Sequence, residues 1–141
     1  SGPRPHAGIE MKLVLCNGVF DLLHVAHVRH LRESAMMGRL VVGVTMDEFV
    51  NKPGRPVIPA NERVEMIRAL GCVERAELCR DSLDALQLFN PQIFVKGNDY
   101  VTKGLLPSEI EYCKENGIEI RHTRGNPQTT TAIIERIIKC V

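Results

Sequence analysis

Short apolar runs alternate with stretches of helical periodicity along nearly the whole chain. Residues 12–17 (KLVLCN) and 40–45 (LVVGVT) are runs of Leu, Val and Cys with little polar interruption, the pattern of strands buried on both faces. Residues 73–78 (VERAEL) alternate like a strand, and residues 92–97 (QIFVKG) and 118–123 (IEIRHT) read as a fourth and a fifth. Between the first two runs, residues 25–37 place Val28, Leu31 and Ala35 on one helical face and Arg29, Arg32 and Glu33 elsewhere. Gly38 stops that helix, and Met36, Met37 and Leu31 are expected to pack. Asn61 is expected to cap a second helix reaching residue 70, with Val64, Ile67 and Leu70 inward. Asp81 or Ser82 opens a third helix to about Phe89, Pro107 a fourth ending near Gly117, and residues 129–138 form a fifth. Residues 51–59 hold three prolines and a glycine and must be a loop.

Strands alternating with helices predict βαβ units: an α/β fold with a doubly wound, parallel, five-stranded sheet and helices on both faces. Ligands of such sheets bind beyond the carboxyl ends of the strands, near the point where strand order reverses. The segments to search are therefore 17–27, 45–56, 96–103 and 122–131. Residues 1–10 (SGPRPHAGIE) carry neither an apolar signal segment nor a helical pattern. They read as a disordered lead-in or a remnant of expression, leaving 11–141 as one domain.

Composition narrows the function classes. With 141 residues, 44% hydrophobic, the chain can bury one core, built without Trp from aliphatic residues. A formal net charge of +1 argues against a nucleic-acid protein working through a broad basic surface. No apolar run approaches the ~20 residues needed to span a bilayer, so no membrane partner is expected. Five cysteines without a CxxC pair read as free thiols of a reducing cytosol, which points to a cytoplasmic protein.

The chemistry concentrates in NGVFDLLHVAHVRHL, residues 17–31. Gly18 allows a tight turn after the strand. His24 and His27 lie one helical turn apart, so both imidazoles point the same way from a helix start whose N–H groups favour an anion. Two donors at a helix N-terminus describe a phosphate site. The same pair could hold a metal, although no third ligand is evident, or could be ordinary histidines.

This stretch resembles the signature of the HxGH nucleotidyltransferases, the cytidylyltransferase-like superfamily. Gly18-Val19-Phe20-Asp21-Leu22-Leu23-His24-Val25-Ala26-His27 matches G-x-F-D-x-x-H-x-G-H at all but one fixed position. Arg124 and Thr129-Thr130-Thr131, in RGNPQTTTAII, are similar to that family's R-T-x-G-x-S-T-T helix start, and Arg63, in ERVEMIRAL, takes its E-R-x-x-x-L position. The resemblance spans residues 12–138 and implies a Rossmann-like fold. It implies attack by the phosphate of an acceptor on the α-phosphorus of a nucleoside triphosphate, with pyrophosphate leaving and no covalent enzyme intermediate.

In that reading His24 and His27 hold the triphosphate and stabilise the transition state. Lys52, Arg55 and Arg63 neutralise phosphate charge, and Thr129, Thr130 and Thr131 hold the β- and γ-phosphate oxygens. Gly18, Phe20, Asp21 and Arg124 contact the nucleotide. Mg2+ comes with the triphosphate, bridging phosphates without a dedicated protein cage; Asp21 either reaches that metal, orients a donor or acts as a structural cap. Lys52 and Arg55 are otherwise solvated loop charges. The resemblance further implies a homodimer.

Two branches of the superfamily compete. NGVFD, PGRPVIP and FVKGNDY resemble the adenylyltransferase domain of heptose-phosphate enzymes, where K-G-G-D-Y follows the fourth strand. Arg124 and the compact length resemble glycerol-3-phosphate and ethanolamine-phosphate cytidylyltransferases. The first branch is preferred slightly, so AMP transfer to a sugar phosphate is expected ahead of CMP transfer to a small phosphomonoester. In either branch Arg55, Lys96, Gly97, Asn98, Asp99 and Tyr100 lie where acceptor or ribose contacts fall, Tyr100 being nearly as well explained by packing. Ala26 departs from the motif glycine, Asn98 from K-G-G-D-Y, and Gly125 and Pro127 from R-T-x-G. A non-catalytic nucleotide sensor and a metal hydrolase are the readings from other classes.

Overall fold

The structure, a computed structural model, describes residues 11–98, 101, 103–125 and 128–141. Five strands form one parallel sheet: β1 (Leu13–Gly18), β2 (Arg39–Thr45), β3 (Arg75–Cys79), β4 (Ile93–Lys96) and β5 (Glu119–His122). Their order is β3-β2-β1-β4-β5. The chain steps outward from β1 through β2 to β3, then crosses back to lay β4 against the other side of β1. The reversal point, where a ligand crevice opens, therefore lies between β1 and β4.

Five described helices cover the sheet: α1 (Val25–Ala35), α2 (Ala60–Arg68), α3 (Ser82–Phe89), α4 (Pro107–Glu115) and α5 (Thr130–Cys140). Residues alternate along each strand, and the core divides accordingly. Val14 and Cys16 of β1 join Leu31 of α1 and Val64 and Ile67 of α2 on one face. Leu15 and Phe94 join Ala85, Leu86 and Phe89 of α3 and Cys113 of α4 on the other. The five strands and the third, fourth and fifth helices lie where the apolar pattern predicts them, to within one to three residues.

Some local expectations are corrected. Asn61 does not cap α2; Pro59 occupies that position without a side-chain bond, and the helix ends at Arg68, leaving Leu70 packed against the core just beyond it. Met36 does not pack: it stands 78% exposed at the end of α1, while Leu31 and Met37 do turn inward. Of the two residues expected to open α3, Asp81 is the cap, and Thr129 caps α5 where only a helix start was expected. Asp81 accepts the Asp84 N–H at the start of α3, and Thr129 the Ala132 N–H at the start of α5.

Candidate active site

His24 and His27 open α1 by replacing the oxygen side chains that usually cap a helix. The Ala26 N–H donates to His24 Nδ1 at 3.2 Å, and the His24 N–H donates to His27 Nδ1 at 3.3 Å. A backbone N–H can only donate, so both Nδ1 atoms are unprotonated acceptors. Each neutral ring must then carry its proton on Nε2. The rings stack with centroids 3.8 Å apart.

The pair is also kept neutral electrostatically. Burial, and then the neighbouring His24, push the His27 imidazole down to about 4, and burial lowers His24. The site therefore offers N–H donors at neutral pH rather than the positive charge that two histidines at a phosphate site suggest.

The second signature meets the first directly. His24 Nε2 lies 3.3 Å from Thr130 Oγ1, and that hydroxyl donates to the Asp21 carbonyl at 3.2 Å. The hydrogen bonds thus run one way, from Ala26 N–H through the ring and the hydroxyl to Asp21 O. Arg55 reaches the same helix start, its Nη2 donating to Thr131 Oγ1 at 3.2 Å. Thr130 and Thr131 begin α5, and the first-turn N–H groups of a helix have no partner within it, which makes this end of α5 a place for an anion.

Asp21 and Arg63 have other work. Both Asp21 oxygens accept backbone N–H bonds, from Val57 at 2.9 Å and Ile58 at 3.0 Å, and the residue is 2% exposed. These bonds are those of a structural cap, one of the roles expected of it. Arg63 is wholly buried and does not neutralise phosphate. Its guanidinium donates to Ile58 O, Val19 O and Thr45 O at 2.7–2.8 Å and to Asp47 Oδ1 at 2.6 Å, which occupies all three of its nitrogens. Together the two clamp a strained turn, in which Phe20 (φ 54°) and Leu22 (φ 48°) adopt left-handed backbone that side chains resist.

These groups border an open cavity of about 730 Å3 at the carboxyl ends of the strands. Of the residues expected there, Gly18, Phe20, Asp21, His27, Lys52 and Arg55 line it. So do Lys96, Gly97 and the three threonines 129–131. His24 stands at its edge through Thr130. Arg124 does not reach it: its side chain is 93% exposed beside Glu33. With Ala26 and Gly125 it borders a second recess, of about 410 Å3. Asn98 likewise lies beside Gly125, where an added Cβ would stand 3.2 Å from its Nδ2. Asp99, Tyr100 and Pro127 lie outside the described residues, as does the lead-in 1–10.

Sequence reading missed several cavity residues. Arg80, Asp81 and Ser82 follow β3, and the strand-end rule applied there as well would have found them. Asn17 and Glu109 also line the cavity. Glu109 carries no spacing signal, because it arrives from the middle of α4's first turns. Among the described residues no group of three or more His, Cys, Asp or Glu converges as a metal site. Buried Cys16 is pushed up to about 12, which removes it as a nucleophile.

A doubly wound sheet whose capped imidazoles meet a threonine-rich helix start is an α/β domain of Rossmann-like form. The cytidylyltransferase-like family model matches residues 15–136, and the chain belongs to that family. That family is one of nucleotidyltransferases. The chain is 35% identical over 134 residues to the bifunctional protein HldE of Citrifermentans bemidjiense, and 35% over 132 residues to that of Geotalea uraniireducens. These alignments cover 90% and 89% of this chain but 27% of each relative, so the chain spans about a quarter of their length. Among solved structures it resembles a lipopolysaccharide core biosynthesis protein from Thermoplasma volcanium, with TM-score 0.68 and 30% identity over 85% of this chain and 100% of that one. A protein of unknown function from Archaeoglobus fulgidus shares the fold, with TM-score 0.62 and 19% identity over 84% and 94% of the two chains. No described helix is long and apolar enough to cross a membrane.

Proposed function

We propose that the chain transfers AMP from ATP to the phosphate of a sugar phosphate, in the manner of a heptose-phosphate adenylyltransferase, and releases pyrophosphate. The observation that carries this reading is the 3.3 Å contact between His24 Nε2 and Thr130 Oγ1, which brings the two phosphate signatures to one point. A triphosphate chain would displace that contact and bond to both signatures in its place. The Nε2–H groups of His24 and His27 face the α-phosphate, and the first-turn N–H groups of α5 face the β- and γ-phosphates. Lys52 and Arg55, on the loop after β2, add the positive charge that neutral imidazoles do not.

The acceptor phosphate attacks the α-phosphorus, and charge grows on the surrounding oxygens as pyrophosphate departs. Donors already fixed by the helix caps stabilise that charge without reorganising, the property that makes such sites effective. Mg2+ would travel with the phosphates, bridging them without a dedicated protein cage. The recess beside Ala26, Arg124 and Gly125 is the proposed seat of the base. CMP transfer from CTP to glycerol-3-phosphate or a similar phosphomonoester is the second reading, favoured by Arg124 at that recess.

The test is a matrix of four triphosphates against heptose, other sugar, glycerol, ethanolamine and choline phosphates with Mg2+, following pyrophosphate and product mass. ATP with a sugar phosphate is expected to give the highest turnover. His24→Ala and His27→Ala should each lower that turnover by roughly 10²–10³-fold, the usual loss for one transition-state donor. Near-normal turnover in either variant would refute the assigned role, and no pyrophosphate with any pair would favour a sensor.

A further inference from the structure

The cavity has two walls of different character. On the α1 side stand His27, the start of α5 and the cations Lys52 and Arg55. On the α3 and α4 side stand Arg80, Asp81, Lys96 and Glu109, whose formal charges cancel. Phosphate belongs on the first wall. A carboxylate on the second repels it, and Lys96 offsets that repulsion without reversing it.

Glu109 is the unusual member of this wall. It is 2% exposed, yet it lines the cavity. Its Oε1 accepts the Leu106 N–H at 2.8 Å, and its Oε2 stands 3.3 Å from Lys96 Nζ. A carboxylate has room for about four hydrogen bonds, so these two fix its orientation and leave acceptor capacity toward the cavity. Oε1 caps the start of α4 by holding the Leu106 N–H; the ion pair of Oε2 with Lys96 adds little stability that apolar residues of the same volume would not match, and it is this oxygen that the cap leaves for a ligand.

A second polar group on the same wall is also incompletely satisfied. The pairing of Cys16 with Val95 sets Asn17 beside Lys96 at the ends of β1 and β4. Asn17 Oδ1 is buried without a hydrogen-bond partner. It lies over Gly43, where an added Cβ would stand 2.7 Å away.

We infer that Glu109, oriented by Lys96 and the Leu106 N–H, selects acceptors that carry several hydroxyl groups, by accepting hydrogen bonds from those hydroxyls. The inference rests on the acceptor assignment above and adds the residue that sets its class. A sugar phosphate would direct its phosphate toward the histidine wall and lay its hydroxylated body against Glu109, Lys96 and Asn17. An alkyl phosphate of the same size would leave the carboxylate desolvated and unpaired.

Calorimetric titration of the whole chain tests this without turnover. Glucose 1-phosphate should bind about tenfold or more tightly than cyclohexyl phosphate, the preference expected of hydrogen bonds to a charged group. Glu109→Gln should erase the preference while leaving inorganic triphosphate binding within about twofold, since that ligand uses the other wall. A double variant, Lys96→Met with Glu109→Leu, fills the same space with apolar groups and should lose the preference as well. A wild-type chain with no preference for the sugar phosphate, or a preference surviving in a folded variant, overturns the inference. Pyrophosphate release is scored separately: its absence with every pair sinks the transfer reaction, whereas the binding preference alone decides Glu109.

Discussion

Two imidazoles take the places that helix starts ordinarily give to serine, aspartate or glutamate. That substitution explains their spacing, because residue 24 is the N-cap and residue 27 lies three positions into α1. It also sets their chemistry: capping uses Nδ1, so Nε2 is what remains for a ligand. The protonation consequence is measurable. His27 is held down to about 4 by burial and by His24, and a bound polyanion favours the charged ring. Binding inorganic triphosphate near pH 6 should therefore take up protons, and the uptake should grow as pH falls from 7 toward 5. Calorimetry in two buffers of different ionisation enthalpy reads this directly; identical heats would mean that the imidazoles stay neutral in the complex.

At the scale of elements, the β1–α1 turn is the part that has to be held. Phe20 and Leu22 each occupy backbone that costs of order 1–3 kcal/mol, and Asp21 between them pulls in the loop after β2. Arg63 of α2 completes the clamp by tying that turn, the end of β2 and Asp47 to one guanidinium. Arg63→Met should cost about 3–5 kcal/mol in denaturant unfolding, because it leaves the Ile58, Val19 and Thr45 carbonyls without their donor at about 1–3 kcal/mol each. A cost under 1 kcal/mol would mean that the turn holds itself. Helix and strand positions were legible because apolar periodicity reports burial, and burial is what the sheet imposes. The role of Arg63 was not, because a basic residue near a phosphate site and a basic residue holding carbonyl groups look alike in sequence. Asn61 misled for a similar reason. A residue able to cap stood one position inside the helix, and Pro59, which needs no N–H, took the end.

At the scale of the molecule, the sheet brings together residues more than a hundred positions apart, such as His24 and Thr130. The family motifs made that meeting legible in advance. The neutral wall of the cavity was read only in part: Arg80 and Asp81 follow β3, a strand end left out of the search, whereas Glu109 arrives from a separate helix and only the folded topology brings it to them. The attachment of α5 is equally a tertiary matter. This helix buries no residue among its own, and Ile137 and Ile138 stand exposed along it. Among the described residues, side-chain hydrogen bonds from this helix to the body run through Thr130 and Thr131. Amide exchange in α5 should thus be faster than in α3, and inorganic triphosphate should slow it by about tenfold or more, as expected of a locally opening segment that a ligand holds shut. Exchange unchanged by that ligand would place the anion elsewhere.

The links from His24 to Thr130 and from Arg55 to Thr131 have one more consequence. In the proposed reaction an entering triphosphate would meet donors and hydroxyls already engaged with each other, so each new bond would be an exchange of partners. Net affinity then grows more slowly than the number of contacts formed, and the departing pyrophosphate finds replacements waiting to close behind it. A site wired in this way favours repeated turnover over tight retention of its product.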